Sequence, residues 1–211
     1  MTDVFTPAVV TLISYLLGSL PAGYLAGCIA GVDIRQLGSG NIGATNVLRV
    51  LGKRFGYPVF LFDFGKGFGA VHLALLLGRR SGGDANFVDF CAAIAAIFAV
   101  IGHTFPVWLR FKGGKGVATS IGVLFGLAPI PALIVSGVWL LTFEIIRYVS
   151  LASVVAALAF PATVAVMRFF EQRYSWVLFY VSLCLAGLVI ARHRSNLVRL
   201  LHGTEPRFRR K

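Results

Sequence analysis

The chain has 211 residues, of which 57% are hydrophobic and only 13% charged, and its mean hydropathy is +0.82. Soluble domains carry roughly a quarter charged residues, so this composition excludes a water-soluble fold and predicts one integral membrane domain over residues 1–211. The formal charge of +12 points to an anionic lipid surface or a phosphorylated substrate, not nucleic acid, because the basic residues flank apolar runs and alternate with no aromatic binding platform.

In chain order, the first apolar run, residues 4–30, is too long for a secretory signal, and no Lys or Arg precedes Arg35. It reads as a retained membrane helix, with Gly23, Gly27 and Gly31 at the small-xxx-small spacing of helix packing. A span needs roughly 20 apolar residues, and further windows fall at residues 55–77, 87–101, 117–128, 131–146, 151–167 and 176–191. The expected fold is therefore an all-α polytopic bundle of about seven transmembrane helices, the fourth being short and followed by the break Pro129-Ile130-Pro131. Cys28, Cys91 and Cys184 stand alone in apolar runs and read as small buried hydrophobes, with no metal-site spacing.

Charge placement orients the bundle. With seven crossings and the N-terminus outside, the cytoplasmic side carries Arg35, Arg49, Lys53, Arg54, Arg110, Lys112, Lys115, Arg147 and the basic residues from Arg192 onward. The outer side keeps only Arg79, Arg80, Arg168 and Arg173, whereas losing the fourth crossing would divide the cations almost evenly. The C-terminus is then cytoplasmic, and three polar segments fall on that one face: residues 38–49, 102–116 and 193–205.

In the first segment, Gly38, Gly40 and Gly43 permit turns that expose backbone N–H groups, and Ser39, Asn41, Thr45, Asn46 and Arg49 add hydrogen bonds and a cation suited to phosphate. The structural alternative is a turn in which Ser39 or Asn41 caps a helix running through Arg49 and Leu51. Inside the second span, Asp63 and Lys66 stand at i, i+3, where an unpaired charge costs roughly 2.5–3.5 kcal/mol, so they are expected to pair, either structurally or facing a site where Lys66 helps bind phosphate. The second segment carries Lys112, Gly113, Gly114, Lys115 and Gly116 ahead of a helix, a phosphate-cradling composition without the spacing of a nucleotide P-loop. His103 precedes that loop and reads as orienting it. The third segment puts His193, Asn196 and Arg199 on one face of a helix that Gly203 ends, with Glu205 beyond. Arg207, Arg209, Arg210 and Lys211 read as a tail touching anionic lipid.

These three segments, in this order and with these spacings, resemble the bacterial membrane acyl-phosphate:glycerol-3-phosphate acyltransferase family, and the resemblance covers nearly the whole chain. Ile42 and Trp108 are apolar departures that leave the polar positions intact. The resemblance implies transfer of a fatty acyl group from acyl phosphate to the 1-hydroxyl of glycerol 3-phosphate, giving lysophosphatidic acid and phosphate in a bacterial inner membrane. It implies Ser39, Arg49, Lys115, His193 and Asn196 as catalytic candidates, and Gly40, Asn41, Thr45, Asn46, Lys66, Lys112, Gly113, Gly114, Gly116 and Glu205 as substrate-binding candidates. The partners are acyl phosphate, glycerol 3-phosphate and membrane lipids, with association with the enzyme that makes acyl phosphate as a further expectation, and no cofactor, metal or nucleic acid. None of His72, His103, His193 or His202 has Asp five positions later, so the HxxxxD signature of acyl-CoA-dependent acyltransferases is absent. A substrate phosphate oxygen is the expected proton acceptor, with His193 or Glu205 as the rival base. A transporter or channel for a phosphorylated solute is the competing class, and it would place polar residues at the membrane midplane.

Overall fold

Long apolar runs bounded by residues that cap helix ends give a chain that is helical almost throughout. The computed structural model describes residues 3–171 and 174–208. Arg173, Arg209, Arg210 and Lys211, which entered the charge count and the basic tail, lie outside the described residues. The helices are α1 (Phe5–Ser19), α2 (Ala22–Ile29), α3 (Ala44–Leu51), α4 (Lys53–Arg80), α5 (Ala85–Thr104), α6 (Val117–Leu127), α7 (Pro129–Ile146), α8 (Val149–Glu171), α9 (Trp176–Arg192) and α10 (Arg194–Leu201). Asp84 caps α5 by accepting from Phe87 N at 2.8 Å, and Ser175 caps α9 by accepting from Leu178 N at 3.3 Å. The Pro129-Ile130-Pro131 break starts α7, because a proline in the first helical turn lacks only an N–H that would have had no partner there.

The chain divides into two compact units, Met1–Leu127 and Ala128–Lys211. In the first, α4 and α5 form an antiparallel pair joined at residues 81–84, with α1 beside both and α6 against α4 and α5. Backbones meet closely at glycines: a side chain at Gly18 would strike Ala99 O, and one at Gly102 would strike Tyr15 O, so α1 and α5 have no room between them for larger residues. Gly23 has a similar role against Ile42 O, but Gly31 touches nothing and instead turns the chain out of α2 with φ +74°, which corrects the expectation that all three glycines of that spacing pack helices. In the second unit α7 and α8 pair across the left-handed turn at Arg147 (φ 60°), α8 packs on α9, and Trp139 Nε1 donates to Ser153 Oγ at 3.1 Å.

The outward faces are apolar. Leu61, Phe62, Leu140, Leu141, Ile145, Phe169 and Phe170 are exposed on helices long enough to cross a bilayer, so lipid is their solvent, and this is an all-helical integral membrane protein. Among the described residues, five spans meet the length requirement alone: Phe5–Ile29, Lys53–Arg80, Ala85–Leu109, Pro129–Ile146 and Val149–Phe170. A sixth forms if α9 and α10 count together across their 54° bend. Of the seven expected crossings the remaining one is α6, whose 11 residues extend about 16 Å, roughly half of a hydrocarbon core. Cys91 is buried as expected, whereas Cys28 and Cys184 are exposed on α2 and α9, because helix periodicity turns them outward.

Candidate active site

The first polar segment is a loop stitched from within. Asp33 opens a short 3-10 turn over Ile34–Gln36, and Gly38 and Gly40 take positive φ of 60° and 69°. Asn46, from α3, reaches back into this loop: its Oδ1 accepts from Ser39 N at 2.8 Å, and its Nδ2 donates to Leu37 O at 3.0 Å and Ile34 O at 3.3 Å. A buried amide so committed fixes the shape of the loop and presents no donor to a ligand. Neither Ser39 nor Asn41 caps the helix: Gly43 is the N-cap, and Asn41 Oδ1 accepts from Gly43 N at 2.7 Å. Ser39 and Gly40 are exposed, Thr45 is half-buried, and Arg49 projects into solvent one turn after Thr45 on the same face of α3.

The second segment folds back on the end of α5. Gly113 N donates to Thr104 O and Gly114 N to His103 O, both at 3.1 Å, while Arg110 (φ 51°) and Phe111 (φ 62°) make the reversal. A side chain at Gly113 would lie 2.2 Å from His103 O, and one at Gly114 would lie 2.1 Å from His103 Nε2. Steric closeness to α5 thus accounts for these two glycines. The loop carries Lys112 exposed and Lys115 half-buried, and Gly116 (φ 80°) leads into α6, where Ser120 N donates to Gly116 O at 2.7 Å. Leu109 of this segment shares one apolar cluster with Ile42 and Val47 of the first, so the two segments meet at the same end of their unit.

Beneath them is a buried charge pair. Lys66 Nζ lies 2.8 Å from Asp63 Oδ1 and donates to Leu20 O at 2.9 Å. Asp63 Oδ1 also stands 3.4 Å from His103 Nδ1, and the side chains of Lys66, Asp63 and His103 are 3%, 2% and 4% exposed. The expected pairing of Asp63 with Lys66 is present. The ammonium of Lys66 points inward to protein partners.

In the second unit, α9 bends at His193 into α10. His193 Nδ1 donates to Val189 O at 2.7 Å, which fixes the ring against the last turn of α9. Asn196 Nδ2 and Ser150 Oγ both donate to Glu205 Oε1 at 2.7 Å, and Arg199 Nε donates to Glu205 Oε2 at 2.9 Å. Burial alone would raise the Glu205 pKa, but these hydrogen bonds from Asn196, Ser150 and Arg199 outweigh it and hold the carboxyl below its usual range. Phe208 N donates to Arg147 O at 2.9 Å and the Phe208 ring packs edge-on against Phe143, so the chain beyond α10 is strapped to the α7–α8 turn. Residues Ser150 and Phe143 gave no sequence signal for this clasp, since they are remote in the chain from Glu205 and Phe208. Among the described residues no group of three His, Cys, Asp or Glu could hold a metal.

A family model for glycerol-3-phosphate acyltransferase matches residues 8–203. A glycerol-3-phosphate acyltransferase of Thermosynechococcus vestitus is 47% identical over 99% of this chain and 98% of its own. One from Staphylococcus carnosus is 41% identical over 94% of this chain and 96% of its own. The crystal structure of PlsY, an integral membrane glycerol 3-phosphate acyltransferase in its glycerol 3-phosphate form, is 40% identical, covers 96% of both chains and superposes with a TM-score of 0.84. Its lysophosphatidic acid form superposes with a TM-score of 0.82. The chain belongs to the glycerol-3-phosphate acyltransferase family.

Proposed function

We propose that the protein transfers a fatty acyl group from an acyl phosphate to the 1-hydroxyl of glycerol 3-phosphate, releasing lysophosphatidic acid and inorganic phosphate at the cytoplasmic face of a bacterial membrane. The observation that carries this reading is the character of the polar segments: cations on shaped loops beside lipid-facing helices, with the one carboxylate of those segments, Glu205, already engaged by three donors. Such a site suits two phosphorylated substrates and an activated acyl group, and its carboxylate is a weakened base.

Arg49, Lys112 and Lys115 neutralise phosphate, and the side chains of Ser39, Asn41 and Thr45 complete its hydrogen bonding. Holding both phosphates brings the glycerol oxygen against the acyl carbon and supplies the proximity term. The glycerol 1-oxygen bonds to the acyl carbon, and the bond from that carbon to the phosphate oxygen breaks. A phosphate oxygen of the acyl phosphate takes the hydroxyl proton and departs with it as inorganic phosphate. Ser39 donates to the oxyanion of the tetrahedral intermediate. His193, with its Nδ1 held by Val189 O, is the residue assigned to orient the hydroxyl. In this account Asn46, Lys66 and Glu205 shape the site without touching phosphate, because their polar atoms bond to protein. The acyl chain lies in the bilayer, since each CH₂ carried into water costs about 0.8 kcal/mol.

The donor is tested with purified protein in lipid nanodiscs given glycerol 3-phosphate and either palmitoyl phosphate or palmitoyl-CoA. Lysophosphatidic acid formed from the acyl phosphate alone supports the reading. Equal or faster product from the thioester overturns it.

A further inference from the structure

Lys66, Asp63 and His103 form a chain of contacts that the proposed chemistry does not use. Lys66 ties Asp63 to Leu20 O at the break between α1 and α2, and Asp63 faces His103 Nδ1 from α4. The opposite edge of the same ring, Nε2, lies where a side chain at Gly114 would fall, 2.1 Å from the ideal Cβ position. The ring therefore sits between a buried carboxylate and the backbone of the glycine-lysine loop. A charge pair in a membrane span is costly to maintain, and the groups here come from α4, from the end of α5 that leads into this loop and from the α1–α2 break.

We propose that Asp63, Lys66 and His103 form a buried brace that sets the position of the loop carrying Lys112 and Lys115, with His103 as its positioning residue. The brace rests on the proposed phosphate-holding role of that loop. Lys66 and Asp63 fix the imidazole against α4, and the ring edge props Gly114, so the direction of the Lys115 stem follows from a contact made inside the bilayer. The same contact explains why residue 114 is glycine: a methyl there and an imidazole beneath it exclude each other. Because the loop grips phosphate before and during acyl transfer alike, loss of the prop weakens substrate binding and leaves the chemical step largely intact.

The test uses the full chain in nanodiscs with palmitoyl phosphate and glycerol 3-phosphate, measuring KM and kcat for wild type, His103→Asn, Gly114→Ala, the double variant and Lys115→Ala. Asparagine retains a donor towards Asp63 but vacates the space under residue 114. His103→Asn and Gly114→Ala are each expected to raise KM for glycerol 3-phosphate by about tenfold, with kcat changed by less than about threefold. In the double variant the added methyl fills the vacated space, so KM returns towards wild type and the two effects fail to multiply. An unchanged KM in His103→Asn, or two effects that simply multiply, overturns the brace. Should Lys115→Ala leave KM unchanged, the phosphate-holding reading of the loop fails instead. If His103→Asn does not yield folded protein, Gly114→Ser and Gly114→Ala carry the test alone: both must raise KM at unchanged thermal stability, and wild-type KM in both overturns the brace.

Discussion

Asn196 Nδ2 and Glu205 Oε1 are 2.7 Å apart, and Ser150 Oγ shares that oxygen at the same distance. A residue expected from the sequence to meet substrate is thus held by a carboxylate nine positions later, itself anchored to the start of α8. Stability follows from this arrangement in a pH-dependent way. The Glu205 pKa is depressed on folding, so its contribution is fully present above the ordinary glutamate value of 4.5 and is lost as pH falls through the lower folded value. Thermal unfolding of the wild type should weaken over that acidic window, and Glu205→Gln should be less stable at neutral pH with a flatter pH profile. Identical profiles for the two proteins would contradict the clasp.

The same engagement makes Glu205 a weaker base, and His193 is the stronger protein rival to the proposed substrate phosphate. The kcat profile is expected to show no acidic limb near the ordinary imidazole value of about 6.5 that vanishes in His193→Gln. His193→Gln should still lose activity through poorer orientation of the hydroxyl. A limb present in wild type and absent in the variant would transfer the base role to His193.

Arg49→Ala and Lys115→Ala each remove one charge-assisted anchor. Such bonds are worth about 1.5–3 kcal/mol, so each variant should lose about 10- to 100-fold in kcat/KM while its thermal stability stays near wild type. Wild-type turnover in either removes that residue from the site. Arg49 is exposed at the end of α3, which makes a folding defect an unsuitable explanation for its loss.

Lys66 behaves differently, because its ammonium compensates Asp63 in a buried setting. Lys66→Met strands that carboxylate and should destabilise the protein by about 3–5 kcal/mol, whereas Asp63→Asn combined with Lys66→Met should recover most of the loss. The readout is the midpoint of thermal unfolding in detergent. A Lys66→Met protein as stable as wild type would contradict this role.

Periodicity and charge are enough to read the apolar spans and the Asp63–Lys66 pair, but not the break at Leu20–Pro21 that divides the first run into α1 and α2, nor the 54° bend that sets His193 between α9 and α10 and off the helix face expected for it with Asn196 and Arg199. Contacts between distant residues were not legible. Asn46 looked like a ligand to phosphate because a polar side chain in a glycine-rich loop has that use, yet its partners are the carbonyls of Ile34 and Leu37. Gly113 and Gly114 looked like a cradle, and their necessity arises from the end of α5 lying against them. His103 and Asp63 are 40 positions apart, so no local pattern joins them. The capping position also moved from Ser39 or Asn41 to Gly43, since Asn41 turns its side chain onto that residue's own N–H.

Acyl transfer between two phosphorylated substrates is tested most directly by the stoichiometry of the reaction. Purified protein in nanodiscs, supplied with labelled glycerol 3-phosphate and palmitoyl phosphate, should form lysophosphatidic acid and inorganic phosphate in equal amounts, and neither without both substrates. Movement of labelled glycerol 3-phosphate across a sealed vesicle without product, or phosphate release that ignores glycerol 3-phosphate, would contradict it.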